Sequence, residues 1–204
     1  MAQVPTLPST APSPEILGPI LAAAAASHHH LCPRQVLGAR IGLVGGRALE
    51  LDLPRDDKRL LTIVETDGCF VSGVEAATGT HVGRRTLRVE DLGRIAATFV
   101  DTKTASAVRV HPHPESRDRA LAMRPEETRR WFAMRDAYRH LPDAELLVVE
   151  TVQLKRSLRE ILSRPHRREV CAQCGEEVIN EREVERDGRR LCLACDGRGY
   201  YQRV

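Results

Sequence analysis

Cys171-Ala-Gln-Cys174, followed after seventeen residues by Cys192-Leu-Ala-Cys195, decides how the C-terminal part of this chain folds. Each pair offers two thiolates from one tight turn, and two such turns complete the tetrahedron that zinc prefers. Between them, Asp187-Gly188 is flanked by alternating apolar and charged residues, from Val178 through Val184 to Leu191, which predicts a tight hairpin. The expectation is a C4 zinc-ribbon domain over 166–204, liganded by Cys171, Cys174, Cys192 and Cys195. A segment this short buries too little apolar surface to fold alone, so the metal would supply much of its folding free energy.

Upstream of the ribbon, a chain of 204 residues has room for one well-packed core, and a hydrophobic content of 42% is that of an ordinary globular domain. The net charge of +3 is balanced along most of the length and does not call for an anionic partner. The most basic stretch, Lys155 to Arg168, sets six Lys and Arg residues against one acid, Glu160, with no interleaved aromatic to stack on bases. It reads as a solvated flank, and nucleic acid is not expected as a partner. Residues 1–14 hold four prolines and no basic residue, so they lack the charged start of a secretory signal and read as a disordered tail. From Glu15 to Ser27 the spacing of Ile16, Leu17, Ile20, Leu21 and Ala24 predicts a helix too short and too alanine-rich to span a bilayer. No membrane association is expected, and cysteine pairs spaced for metal suit a reducing cytoplasm.

Strand-like runs occur at Ala48–Leu53, Leu60–Thr66, Thr86–Val89, Arg94–Asp101, Ala107–Val110 and Leu146–Val152. Helical periodicity is clearest from Pro125 to Leu141, where Pro125 suits a first turn and Trp131, Met134, Tyr138 and Leu141 share one face as core material. Strands and helices do not alternate regularly. The expected fold class is therefore α+β, a mixed helix/sheet core domain over 15–165 with a small C-terminal zinc ribbon.

The remaining cysteines, Cys32 and Cys69, mark a second place for chemistry. Cys32 closes His28-His29-His30-Leu31-Cys32-Pro33, and proline after it predicts a helix Pro33 to Leu43 with Cys32 at its N-cap. The helix dipole there is expected to lower the thiol pKa and favour a thiolate nucleophile or metal ligand. If residues 28–32 are extended, His28, His30 and Cys32 project to one side, a set suited to zinc, iron or copper, while His29 faces away. Cys69 ends a strand and an Asp-Gly turn and precedes a short helix. Only the fold can bring it to Cys32.

Several of these strings resemble the FmdE family, named for a protein encoded beside molybdenum formylmethanofuran dehydrogenase. They are His28-His-His-Leu-Cys-Pro-Arg-Gln-Val-Leu-Gly38, Val64-Glu-Thr-Asp-Gly-Cys69, Ala77-Thr-Gly79, Gly83-Arg-Arg-Thr-Leu-Arg-Val89, Ala96-Ala-Thr-Phe-Val-Asp101, Cys171-Ala-Gln-Cys-Gly-Glu-Glu and Asn180-Glu-Arg-Glu-Val184. The resemblance implies an α+β core with a groove lined by His and Cys, a C-terminal zinc finger, and dimers capable of exchanging their C-terminal parts. It does not carry dehydrogenase activity with it. By position, the family's His-x-His-x-Cys-Pro falls on His28, His30, Cys32 and Pro33, and its Asp-Gly-Cys on Asp67, Gly68 and Cys69. Where the family has Thr-Gly-Cys, this chain reads Thr78-Gly79-Thr80-His81. The thiol at position 80 is lost, and His81 offers a nitrogen nearby.

The function expected from this reading is a cytoplasmic FmdE-like zinc-ribbon protein. Its core His28, His30, Cys32 and Cys69 would bind a second transition metal ion or a small ligand in the groove, with His81 as a further candidate and Glu65 and Asp67 steadying the imidazoles. A competing reading is a thiol-based catalyst or sulfur carrier with Cys32 attacking and Cys69 resolving. A third is a regulatory or assembly adaptor acting through the ribbon. A homodimer is expected, because Leu191, Leu193, Tyr200 and Tyr201 are much apolar surface for so small a ribbon.

Overall fold

The computed structural model describes residues 7–26 and 28–202. Helix α1 (Pro14–Ala25) and helix α2 (Pro33–Ala48) are joined by the histidine turn, and strand β1 (Leu60–Val64) leads into helix α3 (Cys69–Thr78). Strands β2 (Leu87–Val89), β3 (Ala97–Asp101) and β4 (Ala107–Pro112) follow. Helices α4 (Ser116–Met123) and α5 (Arg130–His140) and the single turn α6 (Asp143–Leu146) precede strand β5 (Leu147–Thr151). The strands form one sheet in the order β2-β1-β3-β4-β5, with β1 and β2 parallel and all other pairs antiparallel. Mixed helix and sheet with a C-terminal cysteine cluster is the α+β class expected from the sequence.

Helix α2 is the central element, with twelve of its sixteen residues buried. Its contact with α3 is made without side chains. A Cβ placed on Gly38 would stand 2.1 Å from the Phe70 carbonyl oxygen, and one on Gly73 would stand 2.1 Å from that of Gln35. Gly42 faces Ala77 one turn further along, so the two helices run parallel with their N-termini side by side. On its other flank Gly45 lies against the Phe99 ring of β3, on the sheet face that also carries Val64, Val108, Val110 and Val149 into the core.

This packing explains one departure from the sequence reading. Gly42, Gly45 and Gly46 are poor helix formers, yet contact with α3, Phe99 and Leu53 requires their missing side chains, and the helix runs to Ala48 instead of Leu43. The strand expected over Ala48–Leu53 does not form. Helix α5 starts at Arg130 and not at Pro125, and Trp131 lies half-buried at the rim instead of in the core. Helix α4 has no apolar stripe to read, since only Ser116 and Ala120 are buried. Of the tail expected to be disordered over 1–14, residues 1–6 lie outside those described, as does Ser27. Residues 7–13 are docked: Leu7 packs on the core, and the carbonyls of Pro8 and Thr10 accept from the backbone of Ala144 and Asp143.

Arg40, fully buried on α2, fixes α5 in place. Its Nε and Nη2 reach Asp143 Oδ1 at 3.2 and 2.7 Å, and Nη1 and Nη2 donate to the carbonyls of Tyr138 and Leu141, each at 2.7 Å. Arg47 binds the other oxygen of Asp143 at 2.9 Å. Four donated hydrogen bonds replace the water that burial removes, which is the condition under which a buried guanidinium is tolerated.

The chain divides into two units, Met1–Gln153 and Leu154–Val204, so the boundary falls ahead of the expected 165/166. The second unit includes helix α7 (Leu158–Leu162), opened by a Ser157–Glu160 capping box. Strands β6 (Arg168–Val170) and β7 (Glu177–Ile179) form one hairpin, and β8 (Val184–Arg186) and β9 (Arg189–Leu191) a second. Asp187 and Gly188 turn the second with φ of 51° and 72°, the left-handed pair that a two-residue hairpin loop needs. Among the described residues no helix is long and apolar enough to cross a membrane.

The α2–α3 contact gives a direct test. Gly→Ala within a helix ordinarily stabilises by about 1 kcal/mol, whereas Gly38→Ala here drives a methyl into backbone and is expected to cost about 2 kcal/mol or more. Denaturant unfolding measures it, and a more stable variant would contradict the close approach.

Candidate metal centre and thiol site

In the second unit the two hairpins present their cysteines to one point. The Sγ atoms of Cys171, Cys174, Cys192 and Cys195 all lie within 4.8 Å of one another, the single such group of three or more metal-binding side chains among the described residues. The Cys171-Ala-Gln-Cys174-Gly175 turn is closed by Gly175 N–H to Cys171 O and by Cys171 N–H to Glu176 O, both 2.9 Å, with Gly175 at φ 75°. Backbone N–H groups also point at sulfur, from Cys192 to Cys171 Sγ at 3.3 Å and from Cys195 to Cys192 Sγ at 3.4 Å.

The set fits a tetrahedral metal. A metal–sulfur bond of about 2.3 Å implies an edge of about 3.8 Å in a tetrahedron, and Cys174 Sγ and Cys192 Sγ stand 3.9 Å apart. The backbone donors of Cys174 and Cys192 lower the Cys171 thiol to about 6, while burial and then the neighbouring thiols push Cys195 up to about 12. Four sulfurs so close cannot all ionise by themselves, and a bound cation removes that conflict.

The core site is organised by the two parallel helix N-termini. Cys32 is the N-cap of α2: its Sγ accepts from Gln35 N–H at 3.4 Å, and its own N–H donates to Gln35 Oε1 at 2.7 Å. Gln35 Nε2 donates to Ala24 O at 2.7 Å, tying the end of α1 to this turn. Cys69 is the first residue of α3, and the two thiols interact directly. The helix was expected to lower the Cys32 pKa. Burial instead pushes it up, with Cys69 adding to the rise, and outweighs the Gln35 N–H.

The histidines separate. His28 Nε2 lies 3.0 Å from Ser72 Oγ, and Ser72 is one turn beyond Cys69 on the same face of α3, so His28 borders the thiol pair. His30 is exposed and sets its ring edge to face against Trp131 at 5.5 Å, while His29 is exposed. The four expected core ligands thus do not gather as closely as the ribbon cysteines do. His81 lies beyond the far end of α3, whose ten residues span about 15 Å, and contacts Glu75 at 3.3 Å. It cannot join Cys69. Thr80 is buried with its hydroxyl 2.7 Å from that of Thr78. Glu65 does not steady an imidazole: Arg109 grips both its oxygens at 2.7 and 3.0 Å and Arg94 adds a contact at 2.8 Å, holding the carboxyl below its usual range. Asp67 is exposed. Sequence reading missed Gln35, although Cys32-x-x-Gln35 has the spacing of a capping box with sulfur as the cap.

Residues 27–166 match the family model described as FmdE, Molybdenum formylmethanofuran dehydrogenase operon. A protein of Archaeoglobus fulgidus named "Probable S-adenosyl-L-methionine-binding protein" is 30% identical over 196 residues, covering 85% of this chain and 51% of that protein. The chain thus spans about half the length of that curated relative. A tungsten formylmethanofuran dehydrogenase FmdE-like protein from Syntrophus aciditrophicus superimposes with a TM-score of 0.57 at 23% identity, over 89% of this chain and 92% of that one, a likeness of fold. With the family match extending over more than half of its length, and the thiol-bearing helices within it, the chain belongs to the FmdE family.

Proposed function

We propose that this chain carries a structural zinc ion in its ribbon and uses its core thiol site to bind a soft transition metal ion or a small ligand. The observation that carries the core reading is the direct interaction of Cys32 and Cys69 at adjacent helix N-termini, with His28 one helical turn away. Two sulfurs and one imidazole suit zinc, iron or copper, and a bound cation would deprotonate the buried Cys32 thiol. His30, expected in the same set, would have to leave Trp131 to take part. Free thiols at all six cysteines agree with a reducing cytoplasm.

The small-ligand form of this reading draws support from the Archaeoglobus relative's name, which makes S-adenosylmethionine a ligand to titrate against the core. A homodimer is the partner we propose, supported by exposed Val170, Ile179, Leu193, Tyr200 and Tyr201 on the ribbon unit. Light scattering on the intact chain should give twice the monomer mass at micromolar concentration; a monomer would dismiss the proposal.

For the ribbon we expect one zinc per chain, with Cys171→Ser or Cys192→Ser releasing it and leaving the C-terminal segment protease-sensitive while the core stays folded. Unchanged zinc content in both variants would sink the assignment.

For the core, the full chain under anaerobic reducing conditions should bind one divalent transition metal in addition to the ribbon's. Cys32→Ser, Cys69→Ser and His28→Ala should each weaken it by more than the about tenfold that loss of an outer-shell partner costs, and His29→Ala should not. Metal analysis after dialysis decides. Equal losses at His28 and His29, or a content that stops at one ion, would favour the thiol catalyst, for which a reversible Cys32–Cys69 disulfide is the signature.

A further inference from the structure

Away from the cysteines, the least compensated charge in the core unit lies on α5. The Arg135 guanidinium sits over the Trp131 ring, 5.4 Å from its centroid, and over the Phe132 ring at 4.9 Å, while Arg129 lies 4.0 Å from the same Phe132 ring. Beside them opens a cavity of about 430 Å³, lined by Arg124, Glu127, Arg129, Phe132, Arg135 and Asp136 among others. Two of its three cations are matched: Asp136 binds Arg124, and Glu127 binds Arg129 at 3.3 Å. Arg135 is not. Among the described residues no carboxylate lies within ion-pair distance of it, and its buried Nε–H meets no acceptor.

A guanidinium stacked on aromatic faces keeps its planar edge free for bidentate binding of a carboxylate or phosphate. A buried donor without an acceptor costs free energy that such an anion would recover. We propose that this cavity binds a small molecule carrying a carboxylate or phosphate on a flat ring. The anion would bind the fork of Arg135 with Arg129 adding charge, and the ring would lie along the Trp131–Phe132 pair, whose centroids are 4.8 Å apart at an interplanar angle of 80°. Glu127 and the exposed Glu126 at the rim disfavour an extended polyanion, which would meet both. The contact of His30 with Trp131 makes the cavity a neighbour of the thiol turn, but the site uses neither cysteine.

Trp131 is the only tryptophan in the chain, so its fluorescence reports the cavity directly. The intact protein is titrated with phenyl phosphate, benzoate and inorganic phosphate. We expect a saturable change in emission with at least one of the two aryl anions, tighter than with inorganic phosphate; whichever aryl anion binds tighter identifies the acid group. Arg135→Gln should weaken that binding by about tenfold or more, and Arg135→Lys, which keeps the charge and loses the fork, by several-fold. Near-UV circular dichroism checks that both variants are folded. No saturable change with either aryl anion, equal binding of inorganic phosphate, or an affinity unchanged in the Lys variant would overturn the proposal.

Discussion

The absence of side chains between α2 and α3 is the constraint on which the core depends. Gly38 and Gly73 let the two backbones touch, each beneath a carbonyl of the other helix. Helices held that closely cannot slide past one another without a clash, so their register is set and their N-termini stay level. Level N-termini are what bring Cys32 and Cys69 together across thirty-six intervening residues. Arg40 then extends the arrangement to a third helix. By donating to Tyr138 O and Leu141 O it satisfies carbonyls at the C-terminal end of α5 that no cap residue serves. Trp131, at the opposite end of α5, is thereby held beside the histidine turn.

Two opposing effects meet at Cys32. The N-terminal backbone donors of α2 favour a thiolate, and burial favours the neutral thiol. Burial wins here, and Cys69 reinforces it, because ionising one of two adjacent thiols makes ionising the second harder. Such a pair is poorly prepared to attack a substrate as a free nucleophile and well prepared to give up protons to a cation. That asymmetry is why the metal or ligand reading ranks above thiol catalysis.

What could be read in the sequence followed from local rules. The N-cap at Cys32, the helix after it, the short helix opened by Cys69, the Asp187-Gly188 hairpin and four core strands, β1 and β3 to β5, all rest on residues within a few positions of one another. What could not be read was set by contacts distant in sequence. Glycines that argue against a helix from within became its reason for continuing, because α3 and Phe99 lie on the other side. Glu65 and Asp67 looked like partners for histidine only while Arg109, forty-four residues on, was out of sight. An extended turn would have placed His28 and His30 on one side; in the fold Ser72 holds one and Trp131 the other.

The two sulfur sites of this chain therefore stand in opposite relations to folding. The ribbon core consists of Cys171, Val178 and Leu191 with little else, so its hairpins depend on whatever the four thiolates hold, and losing that ion should unfold the unit. The thiol pair of the first unit rests on a core of helices and sheet that is complete without it. Loss of an ion there would leave the fold standing and two thiols poised beside an imidazole. A site preformed in this way can release and rebind its occupant at little structural cost, which suits a ligand that is exchanged more than one that is kept.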